Sequence, residues 1–288
     1  MGRSKVPIIL RMVRFSHTAF ALPFAFMGAF LAAKGIPTWY QLFWILMAMV
    51  GARTGALSLN RYADAELDAQ NPRTMNWPIP RGLVSKGEAL ILMVTAWALF
   101  LLAAYMLRPW LVFLTPIPLS VFIIYPYTKR FTWACHFLNG LGLGLAAPGA
   151  WLAIRGDLGL PPIIIMLAVI TWVAGFDILY SLEDLQFDIE KGLKSIPQRF
   201  GVRASFILAR ILHASMIALL LSLYFIANLG PIYLLGLLAA TGLIFYEHIF
   251  LRGEDPSRVE GAFFTVNGFV SILLFSFTLA DVIRRTAL

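Results

Sequence analysis

Charge is scarce in this chain. Only 13% of its 288 residues are Asp, Glu, Lys or Arg, about half the share found in soluble domains (roughly 25%). Cysteine is rarer still: the single Cys135 excludes an internal disulfide and a thiolate metal cluster, and is expected to pack. There is no Gly-rich phosphate loop, no Ser/His/Asp arrangement and no Cys/His cluster, which removes the common nucleotide-binding, hydrolase and zinc chemistries. Linkers and low-complexity runs are missing too, so residues 1–288 read as a single domain. What fills the chain is apolar. With 60% hydrophobic residues and a mean hydropathy of +0.79, a soluble protein of this size has nowhere to hide its apolar surface. The lipid bilayer is the expected partner, and the net charge of +8 reads as topology, with no nucleic-acid partner.

Apolar stretches of about 20 residues cross a bilayer. Nine are read: about 17–33, 40–59, 89–107, 109–127, 132–154, 161–182, 204–226, 230–251 and 262–283. The expected fold class is an all-α membrane protein, nine transmembrane helices in one bundle around a central cavity that opens to the cytoplasmic side. Basic residues set the orientation. Sixteen Lys and Arg fall on the side of the N-terminus and the long charged loops, five on the other, and Arg53 and Arg210 lie within spans. The N-terminus and the charged loops are therefore expected in the cytoplasm, in a bacterial inner membrane, with Arg284 and Arg285 running against the trend. No cleavage site follows the basic N-terminus, so the first span is expected to stay as an anchor.

Acidic residues are few but grouped. Asn60, Asp64 and Asp68 are spaced i, i+4, i+8 at the end of the second span, which puts three oxygen ligands on one helical face. Glu66 falls on the opposite side and Arg61 off the ligand face. At the end of the sixth span, Asp177, Tyr180, Asp184 and Asp188 share a face, and Glu183 points away. The repetition after four spans suggests two halves around a central site. Facing carboxylates repel unless a cation lies between them, and oxygen ligands without His or Cys suit Mg²⁺. Lys129 and Arg130 after the fourth span, and Lys191 and Lys194 after the second cluster, bracket the acid with positive charge. Carboxylates, divalent metal and nearby Lys/Arg describe a diphosphate cradle, and the membrane molecule with such a head and an apolar body is a polyprenyl diphosphate.

Arg53, within the second span and seven residues before Asn60, points along the ligand face. A charge at that depth needs a partner: either helix-to-helix contact with a carbonyl or Glu247, or an anionic substrate group. His213 and Asn139 read as satisfied core polar groups, His17 as a residue near the mouth, and Glu247 and His248 as reaching interfacial water. Phe20, Phe24, Phe26 and Met27 read as packing or lipid-facing residues. A transporter with acidic cation sites is the alternative from another class, but transporters place their site near the bilayer midplane, whereas these clusters end spans on one side.

At these motifs the sequence resembles the UbiA family of intramembrane aromatic prenyltransferases. Asn60-x3-Asp64-x3-Asp68 is similar to the family's first motif, Asp177-x2-Tyr180-x3-Asp184-x3-Asp188 to its second, and Tyr125-Pro126-x2-Lys129-Arg130 to a shared stretch after the fourth span. The resemblance implies Mg²⁺ on Asn60, Asp64, Asp68, Asp177, Asp184 and Asp188, with Asp64, Asp184 and Arg130 as catalytic residues. It implies a polyprenyl diphosphate and a hydroxylated aromatic acid as substrates, met by Arg53, Tyr125, Lys129, Arg130, Tyr180, Lys191 and Lys194. Tyr125 and Tyr180 would offer π faces to an allylic cation, and Arg130 and Arg53 would orient the ring's carboxylate. Many members have Asp where this chain has Arg61. That variant, with Asn71-Pro72-Arg73-Thr74 and the stretch from Phe15 to Phe24, looks like a prokaryotic subgroup close to 4-hydroxybenzoate polyprenyltransferases, in quinone biosynthesis. Part of that subgroup belongs to the futalosine route to menaquinone, which keeps 1,4-dihydroxy-6-naphthoate as an alternative acceptor. Chlorophyllide, haem and homogentisate are acceptors elsewhere in the family.

Overall fold

A computed structural model of the chain describes residues 5–13, 21–250 and 259–286. The described residues are helical, in the order α1 Val6–Met12, α2 Leu22–Ala33, α3 Trp39–Ala63, α4 Ala65–Asp68, α5 Lys86–Leu107, α6 Pro116–Thr128, α7 Cys135–Gly144, α8 Ala146–Arg155, α9 Leu160–Tyr180, α10 Leu185–Lys191, α11 Ile196–Ile226, α12 Pro231–Phe250 and α13 Val259–Thr286. Among them eight segments, not nine, are long and apolar enough to cross a membrane. The difference lies in the first span. Its described part, α2, has 12 residues, about 18 Å of helix, and residues 17–20, with His17 and Phe20, lie outside the described residues.

Several spans are broken where proline and glycine dictate. The span read at 132–154 is two helices meeting at Leu145, because Pro148 has no N–H to give and its ring crowds the carbonyl four residues back. The 109–127 span opens with a 3-10 turn, Pro109–Leu114, before α6. α11 starts at Ile196 but is interrupted at Gly201, whose φ of 81° suits glycine. The starts of α3 and α5 are fixed by reciprocal capping, Thr38 with Gln41 and Ser85 with Glu88.

α9 is the hub, packing on α7 and α11 and touching α2, α8 and α13. Its Trp172 and Val173 are fully buried in a core shared with Phe24 and Met27 of α2 and Phe206 and Met216 of α11. Between apolar helices in lipid, close backbone approach supplies the attraction. A Cβ on Gly51 would stand 2.6 Å from the Ala96 carbonyl oxygen of α5, and one on Gly140 2.6 Å from the Ile170 carbonyl oxygen of α9. Glycine at these two positions lets α3 meet α5 and α7 meet α9. α3 and α9 both run towards the ends that carry the acidic motifs, which places those motifs together.

Candidate active site

Asn60, Asp64 and Asp68 line one end of a cavity of about 510 Å³, and Asp177, Tyr180, Asp184 and Asp188 line it from α9 and α10. Both motifs change geometry in mid-stride: α3 stops at Asp64 and restarts as α4, and a 3-10 turn, Ser181–Asp184, separates α9 from α10. The ligand sets keep their common side, but their neighbours are redistributed. Arg61, expected off the ligand face, also lines the cavity: its guanidinium lies 3.7 Å over the Trp77 ring and 3.8 Å from Asp68. Glu183 stays off the cavity as expected, half-buried and 3.9 Å from Arg73. Glu66 is exposed as expected and accepts a hydrogen bond from Lys86 at 2.9 Å, which holds its carboxyl below the ordinary carboxylate range.

Asp64 and Asp184 have close basic neighbours. Lys129 Nζ is 3.0 Å from Asp64 Oδ2, and Arg130, which donates to the Ala63 carbonyl at 2.8 Å, stands 3.6 Å from Asp64 Oδ1. Arg73 Nε donates to Asp184 Oδ1 at 2.9 Å, Nη2 pairs with Asp184 Oδ2, and Nη1 donates to the Tyr180 hydroxyl at 2.6 Å. Asn71 adds a hydrogen bond to Asp184 at 2.8 Å. Burial opposes the charge on Arg73, yet the Asp184 hydrogen bonds prevail and hold its pKa above the ordinary value. Burial also raises the Asp68 carboxyl, against the pull of Arg61. The 69–85 loop is thereby tied to the second motif by Asn71 and Arg73, which the spacing of acids alone did not single out.

The donor set can be tested against a divalent cation. Asp64 Oδ1 and Asp68 Oδ2 are buried and accept no hydrogen bond, as oxygens reserved for a hard cation would be. Among the described residues no three His, Cys, Asp or Glu converge on one point. A cation here would be held by carboxylates in ones and twos and completed by oxygens of a bound ligand, which suits Mg²⁺ on a diphosphate.

Other expectations divide. Tyr125, Lys129 and Arg53 line the cavity, and Arg53 Nε is buried without a hydrogen-bond partner. Glu247 is not its partner: it is buried and accepts from Asn267 at 3.0 Å, away from interfacial water. His213 is a satisfied core group, bonded to His248 and to the Trp172 carbonyl. Lys191 and Lys194 do not line the cavity; Lys191 reaches Gln70 and Lys194 the Phe131 carbonyl. Arg130 likewise stays outside, on a neighbouring groove with Tyr62, Gln70 and Lys86. Asp177 gives its oxygens to His136, at 2.7 Å, and Asn139, at 3.0 Å, so Asn139 serves the site as well as the core. His136 was not singled out, although His136 and Asn139 at i, i+3 in an apolar span were a readable signal.

Residues 21–273 match the UbiA prenyltransferase family model. This chain belongs to that family. It is 31% identical over 250 residues to a 4-hydroxybenzoate octaprenyltransferase of Aliivibrio salmonicida, covering 85% of this chain and 87% of the relative. A 4-hydroxybenzoate octaprenyltransferase of Aliivibrio fischeri is 32% identical, covering 85% and 86%. An apo structure of a UbiA homolog from Aeropyrum pernix superposes with a TM-score of 0.85 at 31% identity, covering 92% of this chain and 98% of that one. A UbiA homolog from Archaeoglobus fulgidus, bound to DMAPP and Mg²⁺, shares the fold at a TM-score of 0.68 and 21% identity, covering 95% and 98%. The chain is an integral-membrane prenyltransferase of the UbiA kind, similar to the 4-hydroxybenzoate octaprenyltransferases.

Proposed function

We propose that this chain transfers a polyprenyl group from a polyprenyl diphosphate to a ring carbon of a hydroxylated aromatic acid, 4-hydroxybenzoate, in quinone biosynthesis. One observation carries the reading: two aspartate motifs, with Lys129 and Arg73 beside them, line one end of a largely apolar cavity that also holds Arg53. The names of the Aliivibrio relatives support the acceptor. The sixteen-to-five partition of basic residues supports a cavity mouth facing the cytoplasm across a bacterial inner membrane.

Asn60, Asp64 and Asp68 from one motif and Asp184 and Asp188 from the other would hold Mg²⁺. When bound there, it supplies positive charge to the leaving diphosphate. Lys129 Nζ donates to diphosphate oxygens, and Arg73 and Asn71 fix the Asp184 carboxylate. The C–O bond of the allylic diphosphate then breaks, its electron pair leaving on oxygen. Tyr125 and Tyr180 offer π faces to the resulting cation. Arg53 takes the acceptor's carboxylate, and the apolar walls hold the tail and exclude the water that would quench the cation.

The test uses membranes carrying the chain, Mg²⁺ and a long-chain prenyl diphosphate, with 4-hydroxybenzoate and 1,4-dihydroxy-6-naphthoate offered separately and the products read by mass spectrometry. Prenylated 4-hydroxybenzoate is the expected result. Product from the naphthoate alone moves the chain to menaquinone synthesis, and product from neither acid sinks the acceptor assignment.

A further inference from the structure

Asp177 opens the second motif in sequence but is not placed like its other acids. Asp184 and Asp188 lie beyond the end of α9; Asp177 lies inside it, seven residues before Asp184, about 10 Å deeper along the axis. Its two oxygens are each engaged by α7: Oδ2 by His136 Nδ1 at 2.7 Å and Oδ1 by Asn139 Nδ2 at 3.0 Å. The Ile196 backbone N–H points at His136 Nε2, at 3.4 Å. A backbone amide only donates, so Nε2 is the acceptor, and the ring proton sits on Nδ1 and is given to Asp177. A carboxylate fixed by two donors keeps free lone pairs on both oxygens, and Asp177 lines the cavity.

Arg53 stands at the matching depth on α3, seven residues before Asn60, and lines the same cavity. Tyr125 is within electrostatic range of both Arg53 and Asp177. The cavity thus offers a half-buried cation whose buried Nε has no partner and a half-buried, pre-oriented hydrogen-bond acceptor, both two turns below the acidic motifs. A ligand with a carboxylate at one end and a hydroxyl at the other satisfies both.

We propose that Asp177 lies outside the metal set and is the catalytic residue that takes the hydroxyl of the aromatic acceptor, with His136 and Asn139 as its positioning residues. The inference rests on the aromatic-acid reading of the site. Once the diphosphate has left with the C–O electron pair, the ring carbon forms its bond to the allylic cation. The acceptor hydroxyl becomes a carbonyl and its proton passes to Asp177. The alkylated carbon then gives its own proton to the departing diphosphate, the ring is aromatic again, and the oxygen takes its proton back from Asp177. A ring hydrogen is replaced by the prenyl group and nothing else is consumed.

The experiment measures binding of 4-hydroxybenzoate and of benzoate to purified wild-type protein and to Asp177→Asn and His136→Gln, together with Mg²⁺-dependent binding of geranyl diphosphate. Wild type is expected to prefer 4-hydroxybenzoate at least tenfold, the worth of a hydrogen bond to a charged group. Asp177→Asn is expected to erase that preference while leaving benzoate and geranyl diphosphate binding within about twofold. His136→Gln, which keeps the carboxylate, is expected to narrow the preference only. A loss of Mg²⁺-dependent geranyl diphosphate binding in Asp177→Asn makes Asp177 a metal ligand and overturns the proposal. Equal losses for both acids, or no hydroxyl preference in wild type, overturn it too. Wild-type protein that binds neither acid refutes the aromatic-acid reading itself. Should Asp177→Asn fail to fold, the wild-type preference and the His136→Gln response still decide.

Discussion

Replacing Arg53 by methionine is expected to make the protein more stable and less functional. Arg53 lies on α3 about 15 Å before the helix ends at Ala63. Its Nε is buried without a hydrogen-bond partner, and Glu247, the one acid that sequence alone offered it, is bonded to Asn267. A buried donor left unsatisfied costs about 1–3 kcal/mol, and Met fills most of the same apolar volume without a donor. The folded variant is expected to gain on the order of 1–3 kcal/mol, raising the unfolding midpoint by about 2–4 °C for each kcal/mol gained. The same change removes the charge-assisted contact proposed to the acceptor's carboxylate, about 1.5–3 kcal/mol, so the affinity for 4-hydroxybenzoate is expected to fall roughly 10- to 150-fold. Thermal unfolding in detergent and acceptor titration read the two effects on one sample. A lower midpoint with unchanged acceptor affinity would show that Arg53 is structural glue and refute the reasoning.

Three further outcomes follow from the same geometry. Asp64→Ala and Asp184→Ala are expected to lower turnover roughly a hundredfold or more while the protein still folds; unchanged turnover in either would remove the diphosphate cradle. Burial holds the Asp68 carboxyl above its ordinary 3.8, so the folded state keeps a proton that the unfolded chain has already released. Stability in EDTA should therefore fall as pH rises above 3.8, and Asp68→Asn should flatten that slope in unfolding curves taken at successive pH values. Gly140→Ala would drive a Cβ to 2.6 Å from the Ile170 carbonyl oxygen, costing about 1–3 kcal/mol of overpacking. A midpoint equal to wild type would mean that α7 and α9 separate more easily than their contact implies.

Eight of the nine expected bilayer spans and the motif positions were legible in the sequence because both depend on local runs: apolar length for the spans, i, i+4 spacing for the acids. The partners of those acids were not. Arg73 meets Asp184 across more than a hundred residues, and no periodicity reports a contact between a loop and a distant helix. Arg61 was misplaced for a definite reason. Face assignments assumed unbroken helices, and the backbone changes geometry at Asp64 and across Ser181–Asp184. Asp177 shares the i, i+7, i+11 face of Asp184 and Asp188, but that spacing describes a face and not depth, and it gave no sign of the His136 and Asn139 bonds. Lys191 and Lys194 follow the acids in sequence but do not line the cavity: Lys191, the last residue of α10, reaches Gln70, and Lys194, in the turn after it, reaches the Phe131 carbonyl.

The pairing of Asp64 with Lys129 and of Asp184 with Arg73 has a consequence for how the site fills. Mg²⁺ arriving alone would have to take Asp64 from Lys129 and leave a partly buried ammonium without its counter-ion; a diphosphate arriving alone would bring its charge against the same carboxylates. Arriving together they exchange partners: the carboxylates pass to the metal, and Lys129 passes to the phosphate oxygens. Ion contacts are conserved in number, so neither desolvated charge is stranded. Metal and prenyl diphosphate should therefore each raise the other's affinity by the same factor, about 5- to 150-fold for a coupling of 1–3 kcal/mol. Lys129→Met frees Asp64 in advance, and is expected to raise the affinity for Mg²⁺ alone and to shrink the coupling. Calorimetric titration of Mg²⁺ with and without a non-hydrolysable geranyl diphosphate, corrected for Mg²⁺ binding to the diphosphate in solution, measures both. Coupling of equal size in wild type and Lys129→Met would mean that the Lys129–Asp64 pair does not control how the site fills.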